Sequence, residues 1–201
     1  MQPQFDQLLD HIRQLEDELE DEFERRRDDF VSRLENGRVT FEAEVRRRHR
    51  ELKARLAPYL LGVRPLVLVT APVIYSLIVP FALLDLFVTV YQAACFPVYG
   101  IDKVSRRDFI VIDRHLLGYL NAIEKLNCVY CSYANGLVGY VREIAARTEQ
   151  YWCPIKHARR VAGAHPRYPK FFDYGDAERY HDDLEEMRGA IAPADRRSGK
   201  G

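Results

Sequence analysis

Between Arg64 and Asp85 the chain runs for 20 residues, "PLVLVTAPVIYSLIVPFALL", without one charged side chain. At ~1.5 Å per residue, a helix of that length reaches across a hydrocarbon core of ~30 Å. A surface helix of a soluble protein keeps one polar side, and this stretch has none. In lipid a helix satisfies its backbone N–H and C=O groups internally, so the stretch predicts a membrane-embedded helix. Whatever flanks it then lies at a membrane surface.

Both flanks are basic. On the N-terminal side "RRRHRELKAR" (46–55) holds six Lys or Arg against one Glu, and on the other side stand Lys103, Arg106 and Arg107. Basic segments stay in the cytoplasm and are drawn to anionic lipid headgroups. The apolar region extends over residues 58–100, and two topologies fit it. One is a single span followed by an interfacial helix. The other is a helical hairpin folding back near Pro80, which the two basic flanks favour, although two legs within about 35 residues are each short of a full span. Asp85, Thr89 and Gln92 form a thin polar line at i, i+4 and i+7. In a single span Asp85 marks the exit, and in a hairpin the line turns towards the first leg.

Overall composition conceals this segregation. Thirty Lys and Arg balance thirty Asp and Glu, which argues against a nucleic-acid partner. Yet residues 1–24 alone hold nine acids against one Arg. "DQLLDHIRQLEDELEDE" follows the first residues where a signal peptide would need an apolar run.

Residues 1–57 carry an eleven-residue repeat. Leu8, Leu19, Phe30, Phe41 and Leu52 form one series, and Ile12, Phe23, Leu34, Val45 and Leu56 another. Eleven residues over three turns is close to the helical period, so the repeat predicts a charged rod with a nearly straight apolar stripe. Both series pass Asn36-Gly37 in phase, which predicts one continuous helix weakened there by Gly. The third row, Leu15, Arg26, Gly37, Arg48, is apolar only at its start. So narrow a seam suits pairing with a second copy or a partner helix better than lying on lipid.

Residues 101–160 hold the chemistry-bearing motif. Cys128 and Cys131 form C-x2-C, and after 21 residues Cys153 and His157 follow as C-x3-H. Three thiols and an imidazole match a closed tetrahedral zinc site, which is structural rather than catalytic. An iron–sulfur cluster, a Cys128/Cys131 dithiol pair and small buried core residues are the alternatives. The expected framework is a β-like run at Phe109–Ile112 and a helix capped by Asp113 that ends at the C-x2-C. A second helix over about 133–150 and a short one capped by Cys153 complete it, so that both ligand pairs converge. Cys95 lies in the apolar stretch as packing. Tyr130, Tyr133, Tyr140, Tyr151 and Trp152 gather around the cysteines as a small core or an interfacial belt. No nucleophile elbow, zinc-protease or phosphate-loop spacing occurs, so nothing here nominates a catalytic residue or an enzyme.

"DRHLLGYLNAIEKLNCVYCSYANG" and "REIAARTEQYWCPIKHARR" resemble the core of an uncharacterised family of small bacterial membrane proteins. The likeness runs from the apolar stretch to residue 160 and leaves out the N-terminal rod. It implies a bacterial membrane protein and no particular chemistry, and the basic flanks then point to the inner membrane.

The tail, 161–201, is polar, with a short helix expected at Ala177–Arg188, lone His165 and His181 in polar surroundings, and disorder in the last ten residues. The sequence therefore reads as mainly α: rod, membrane helix or hairpin, small helical Cys/His domain, polar tail. Its function reads as a membrane-anchored interaction or scaffold protein with a zinc-folded cytoplasmic domain, both ends being cytoplasmic. The rival is a membrane redox protein.

Overall fold

The computed structural model describes residues 2–29, 32–35, 38–41, 43–53, 62 and 64–193. It is mainly helical and divides into two compact units, Met1–Gly62 with Asp113–Leu126, and Val63–Ile112 with Asn127–Gly201.

In the first unit α1 (Gln2–Asp29) is a long charged helix. Local pairs such as Gln14 to Glu18 at 2.9 Å and Arg26 to Glu22 at 2.9 Å brace it. Each is worth a few tenths of a kcal/mol. Its stripe residues Leu8, Ile12, Leu15, Leu19 and Phe23 are all exposed. The single continuous helix expected over 1–57 is not observed. Strands β1 (Ser32–Glu35) and β2 (Arg38–Phe41) pair antiparallel with Glu35 opposite Arg38. Two positions separate them, and the sequence there is Asn-Gly, the dipeptide most favoured in two-residue hairpin loops. Val39, Thr40 and Phe41 are strand formers as well. The repeat records only where apolar residues fall, and Leu34 and Phe41 keep its phase in a strand as well as in a helix. Turn chemistry wins over periodicity here. Helix α2 (Ala43–Glu51) follows, and His49 meets the edge of Tyr119 at 5.1 Å. Residues 54–57 of the expected rod lie outside the described residues.

The second unit is built on α3 (Pro65–Ser76) and α4 (Ile78–Tyr99), separated only by Leu77, itself in right-handed helical conformation. Pro80 has no N–H to offer the Ser76 carbonyl four residues back, which accounts for the interruption. Helical bonding resumes at once, Phe81 N–H donating to Leu77 O at 3.1 Å. The hairpin expected near Pro80 is therefore replaced by one helical run, Pro65–Tyr99, of 35 residues and mean hydropathy 2.3. Among the described residues it is the one helix long and apolar enough to cross a membrane. Gly100, at φ 69°, closes it: Ile101 N–H donates to Phe96 O at 2.9 Å and Gly100 N–H to Pro97 O at 3.4 Å. A residue with a Cβ would be strained at that φ.

Helix α5 (Ala122–Trp152) is 31 residues long. Asn121 caps it. Its Oδ1 accepts from the N–H groups of Ile123 and Glu124, both at 3.0 Å, while Glu124 accepts from Asn121 N–H at 2.8 Å. This reciprocal box, and not Asp113, starts the helix. Asp113 instead precedes a single 3-10 turn, Arg114–Leu116, and the expected strand at Phe109–Ile112 is irregular. The two helices expected on either side of the C-x2-C are one.

Helix α5 runs beside α4 in the same direction. Tyr130 OH donates to Ile74 O at 2.8 Å, Tyr91 OH meets Thr148 Oγ1 at 3.0 Å, and Tyr99 stacks on Tyr151 at 5.2 Å. Parallel neighbours require a connection that comes back along them, and residues 101–112 supply it. The return passes so close to α5 that a Cβ on Gly136 would lie 2.5 Å from Phe109 O. Glycine inside the helix is the condition for that approach. Phe96, Leu137, Tyr140 and Ile144 form the core with Ile101, Val104 and Ile191. After α5 the chain makes a bridge between Ile155 and Phe172, and α6 (Ala177–Gly189) is capped by Asp176, which accepts from Arg179 N–H at 3.2 Å. The helix expected at Ala177–Arg188 is thus present. From residue 194 onward the expected disorder concerns residues outside the described ones.

Candidate functional site

The polar line on α4 faces the return segment. Asp85 takes two hydrogen bonds from Arg106, at 2.6 and 3.2 Å, and a third from Tyr133 OH at 3.0 Å. The hydrogen bonds to Asp85 outweigh partial burial and raise the Arg106 pKa, while burial and then the Asp85 carboxylate raise that of the Tyr133 phenol. Two helical turns on, Gln92 is buried. Its Oε1 accepts from Val104 N–H at 2.7 Å, and its Nε2 donates to Val104 O at 3.2 Å and to Tyr140 OH at 2.9 Å. A side-chain amide thus holds both backbone groups of Val104, as a neighbouring strand would. Asp85 and Gln92 fasten the return segment to an otherwise apolar helix.

The proposed metal ligands are distributed differently from the expectation. Cys128 and Cys131 lie within α5, and Cys153 follows its last residue, Trp152. Twenty-five positions at ~1.5 Å each put roughly 37 Å between Cys128 and Cys153. No helix turns the chain back between them, so one chain does not close a site from both pairs. His157 is not on a helix with Cys153. Its N–H donates to Tyr168 OH at 2.6 Å and its Nδ1 lies 3.2 Å from the same oxygen. Among the described residues no group of three or more His, Cys, Asp and Glu is placed to hold a metal ion. The four residues do not fit a single zinc or iron–sulfur centre in this fold, because the spacer that was expected to fold back is straight.

The C-terminal half of α5 is clamped by the tail. Glu143 accepts from Arg167 at 2.6 Å and Arg147 at 2.9 Å, and Arg167 also reaches Gln150 at 3.2 Å. Burial alone would raise the Glu143 carboxyl, but the two arginines outweigh it and hold the pKa below the ordinary value. His165, read from sequence as a solvated histidine, is largely buried and lies 3.0 Å from Glu149. Arg188 donates to Tyr151 O at 3.0 Å and sits 4.9 Å over the Tyr151 ring. Polarity of a tail segment does not by itself mean exposure to solvent. The signal available was the matching of tail cations to Glu143 and Glu149 on α5.

On the side of the helix pair lined by Val88 and Tyr91 of α4 lies an open apolar groove of about 530 Å³. Val141, Ala145, Thr148 and Trp152 line its other wall. No motif announces it, since each helix contributes ordinary apolar residues.

No family model matches the chain, and neither a curated protein nor a solved structure matches it. The class defined by the fold is a mainly helical protein with, among the described residues, one helix long and apolar enough to cross a membrane.

Proposed function

We propose that this chain is a membrane-anchored interaction protein whose straight helix crosses the bilayer at Pro65–Leu84, with the first half of α5 beside it in hydrocarbon. One observation carries the reading: the most apolar window of the 35-residue helix has no buried residue. Leu66, Val69 and Val73 are each more than two-thirds exposed. Left in water, that surface would be an aggregation site, and in lipid it needs no partner. The Asp85–Arg106 pair marks the exit, where charge and irregular backbone meet headgroups and water. Along α5 no charge occurs from Leu126 to Val141, so the helix that lies beside the anchor presents nothing that lipid would repel.

A straight helix crossing at Pro65–Leu84 separates its own two ends, which removes the hairpin on which two cytoplasmic ends depended. The denser basic cluster, at Arg46–Lys53 and Arg64, assigns the N-terminal side to the cytoplasm. The exposed α1 stripe pairs with α1 of a second copy or with a partner helix. The resemblance to bacterial membrane proteins agrees with an inner-membrane location. Alkaline carbonate extraction of membranes tests the anchor: the full chain stays with the lipid pellet, and release into the supernatant would refute the proposal. Leu15→Asp tests the stripe by light scattering in detergent: the mass falls to that of one chain, and an unchanged oligomer would remove α1 as its interface.

A further inference from the structure

We propose that α1 pairs with α1 of a second copy of this chain as a parallel, in-register, two-stranded coiled coil, an inference that rests on the stripe and the anchor of the proposed function. Leu8, Ile12, Leu15 and Leu19 are all exposed and follow one another at steps of four, three and four. That spacing is the a/d seam of a heptad, with Leu8 and Leu15 at d and Ile12 and Leu19 at a. A β-branched residue at a between leucines at d favours two parallel strands over three or four. The seam stops at the next d position, Glu22, which Arg25 and Arg26 draw aside at 3.1 and 2.9 Å. The stripe steps by four to Phe23 instead, a shift that relaxes the left-handed supercoil towards the straighter path of the eleven-residue repeat.

The placement of charge says what covers the seam. Asp10, Asp17 and Glu24 recur every seventh residue, at the f position opposite the seam. A basic partner helix would call for acids beside the seam, and these lie on the far side. In a parallel pair each g residue meets the e residue five positions on in the other copy, so His11 meets Glu16 and Glu18 meets Phe23. Neither contact sets like charges together. A second copy is therefore accepted although residues 1–24 hold nine acids. The membrane brings that copy near. Chains held by the same anchor share one bilayer and one orientation, which raises their effective concentration and suits parallel pairing.

The test is disulfide crosslinking of the full chain in phosphatidylethanolamine and phosphatidylglycerol vesicles, with Cys95, Cys128, Cys131 and Cys153 replaced by Ser. Leu8→Cys, Leu15→Cys, Leu19→Cys and Asp17→Cys are introduced one at a time and oxidised with copper–phenanthroline and oxygen. Each seam variant is expected to give about tenfold more covalent dimer than Asp17→Cys, which faces away. Ile12→Asp in the Leu15→Cys chain removes that dimer. Ile12→Asn, a residue that parallel dimers accept at a single a position, retains it. An antiparallel pair would crosslink Leu8→Cys only when mixed with Leu19→Cys, and that result would overturn the proposal. So would equal yields at positions 15 and 17, no dimer at any seam position, or a dimer that survives Ile12→Asp. The readings beneath it fail separately. Release of the chain by carbonate extraction of the same vesicles refutes the anchor, and an oligomer unchanged by Leu15→Asp refutes the stripe.

Discussion

The two halves of the Pro65–Tyr99 helix have nearly the same apolar composition and opposite surroundings. From Pro65 to Leu84 no residue is buried, whereas beyond Asp85 the helix packs Gln92 and Phe96 into the core of the second unit. What separates them is the polar line at positions 85, 89 and 92, and each end of it has a protein partner. Apolarity says that a helix leaves water. The few polar groups on it say whether it goes to lipid or to protein.

The comparison breaks most sharply in the core. Phe96→Ala or Leu137→Ala is expected to cost about 3–5 kcal/mol, because each leaves a cavity where no side chain can collapse. Val73→Ala, on the lipid-facing half, stays within about 0.5 kcal/mol. Urea unfolding in mild detergent measures both, and equal losses at the two sites would erase the distinction. Next in size is Gln92→Leu, which leaves the Val104 N–H, the Val104 carbonyl and the Tyr140 hydroxyl without their partner. A loss of about 1–3 kcal/mol follows, and faster proteolysis within residues 101–112 reports that the return segment has come free.

Acid acts on the tail clamp. The Glu143 pKa is depressed in the folded chain, so its contribution is fully present above the ordinary carboxyl value of 4.5 and is lost as pH falls through the folded value. Asp173, hydrogen-bonded by Lys156 at 2.8 Å, shifts in the same direction from 3.8. Thermal unfolding of the second unit therefore moves to lower temperature as pH drops below about 4.5, and Glu143→Gln flattens that dependence. A variant as acid-sensitive as the parent would remove Glu143 from the clamp. The smallest effect belongs to Lys156→Ala. Asp173 is largely exposed, and such pairs contribute about 0–1 kcal/mol.

Sequence reasoning located the apolar helix because absence of charge over 20 positions is a property of composition alone. It located the short helix after Asp176 from its local pattern. It failed where two local signals competed. Across Asn36-Gly37 the eleven-residue phase pointed to one helix, whereas Ser32–Glu35 and Arg38–Phe41 on either side pair as strands. At Asn135-Gly136 the same dipeptide signal was misleading, because the glycine serves the close passage of Phe109 and the helix continues. That single continuity separates the Cys128/Cys131 pair from Cys153 and His157. The partners of Asp85 and Gln92 lie 12 to 48 positions away, beyond any periodicity that one helix displays.

Sidedness tests the central claim, a crossing at Pro65–Leu84, most directly. In intact spheroplasts a membrane-impermeant maleimide is offered to the exposed Cys153, read by peptide mapping, and, in a cysteine-free background, to a Glu44→Cys variant. The account predicts labelling of Cys153 in intact cells and of position 44 only after lysis. Protection of both until lysis, or labelling of both before it, would place them on one side and contradict the crossing.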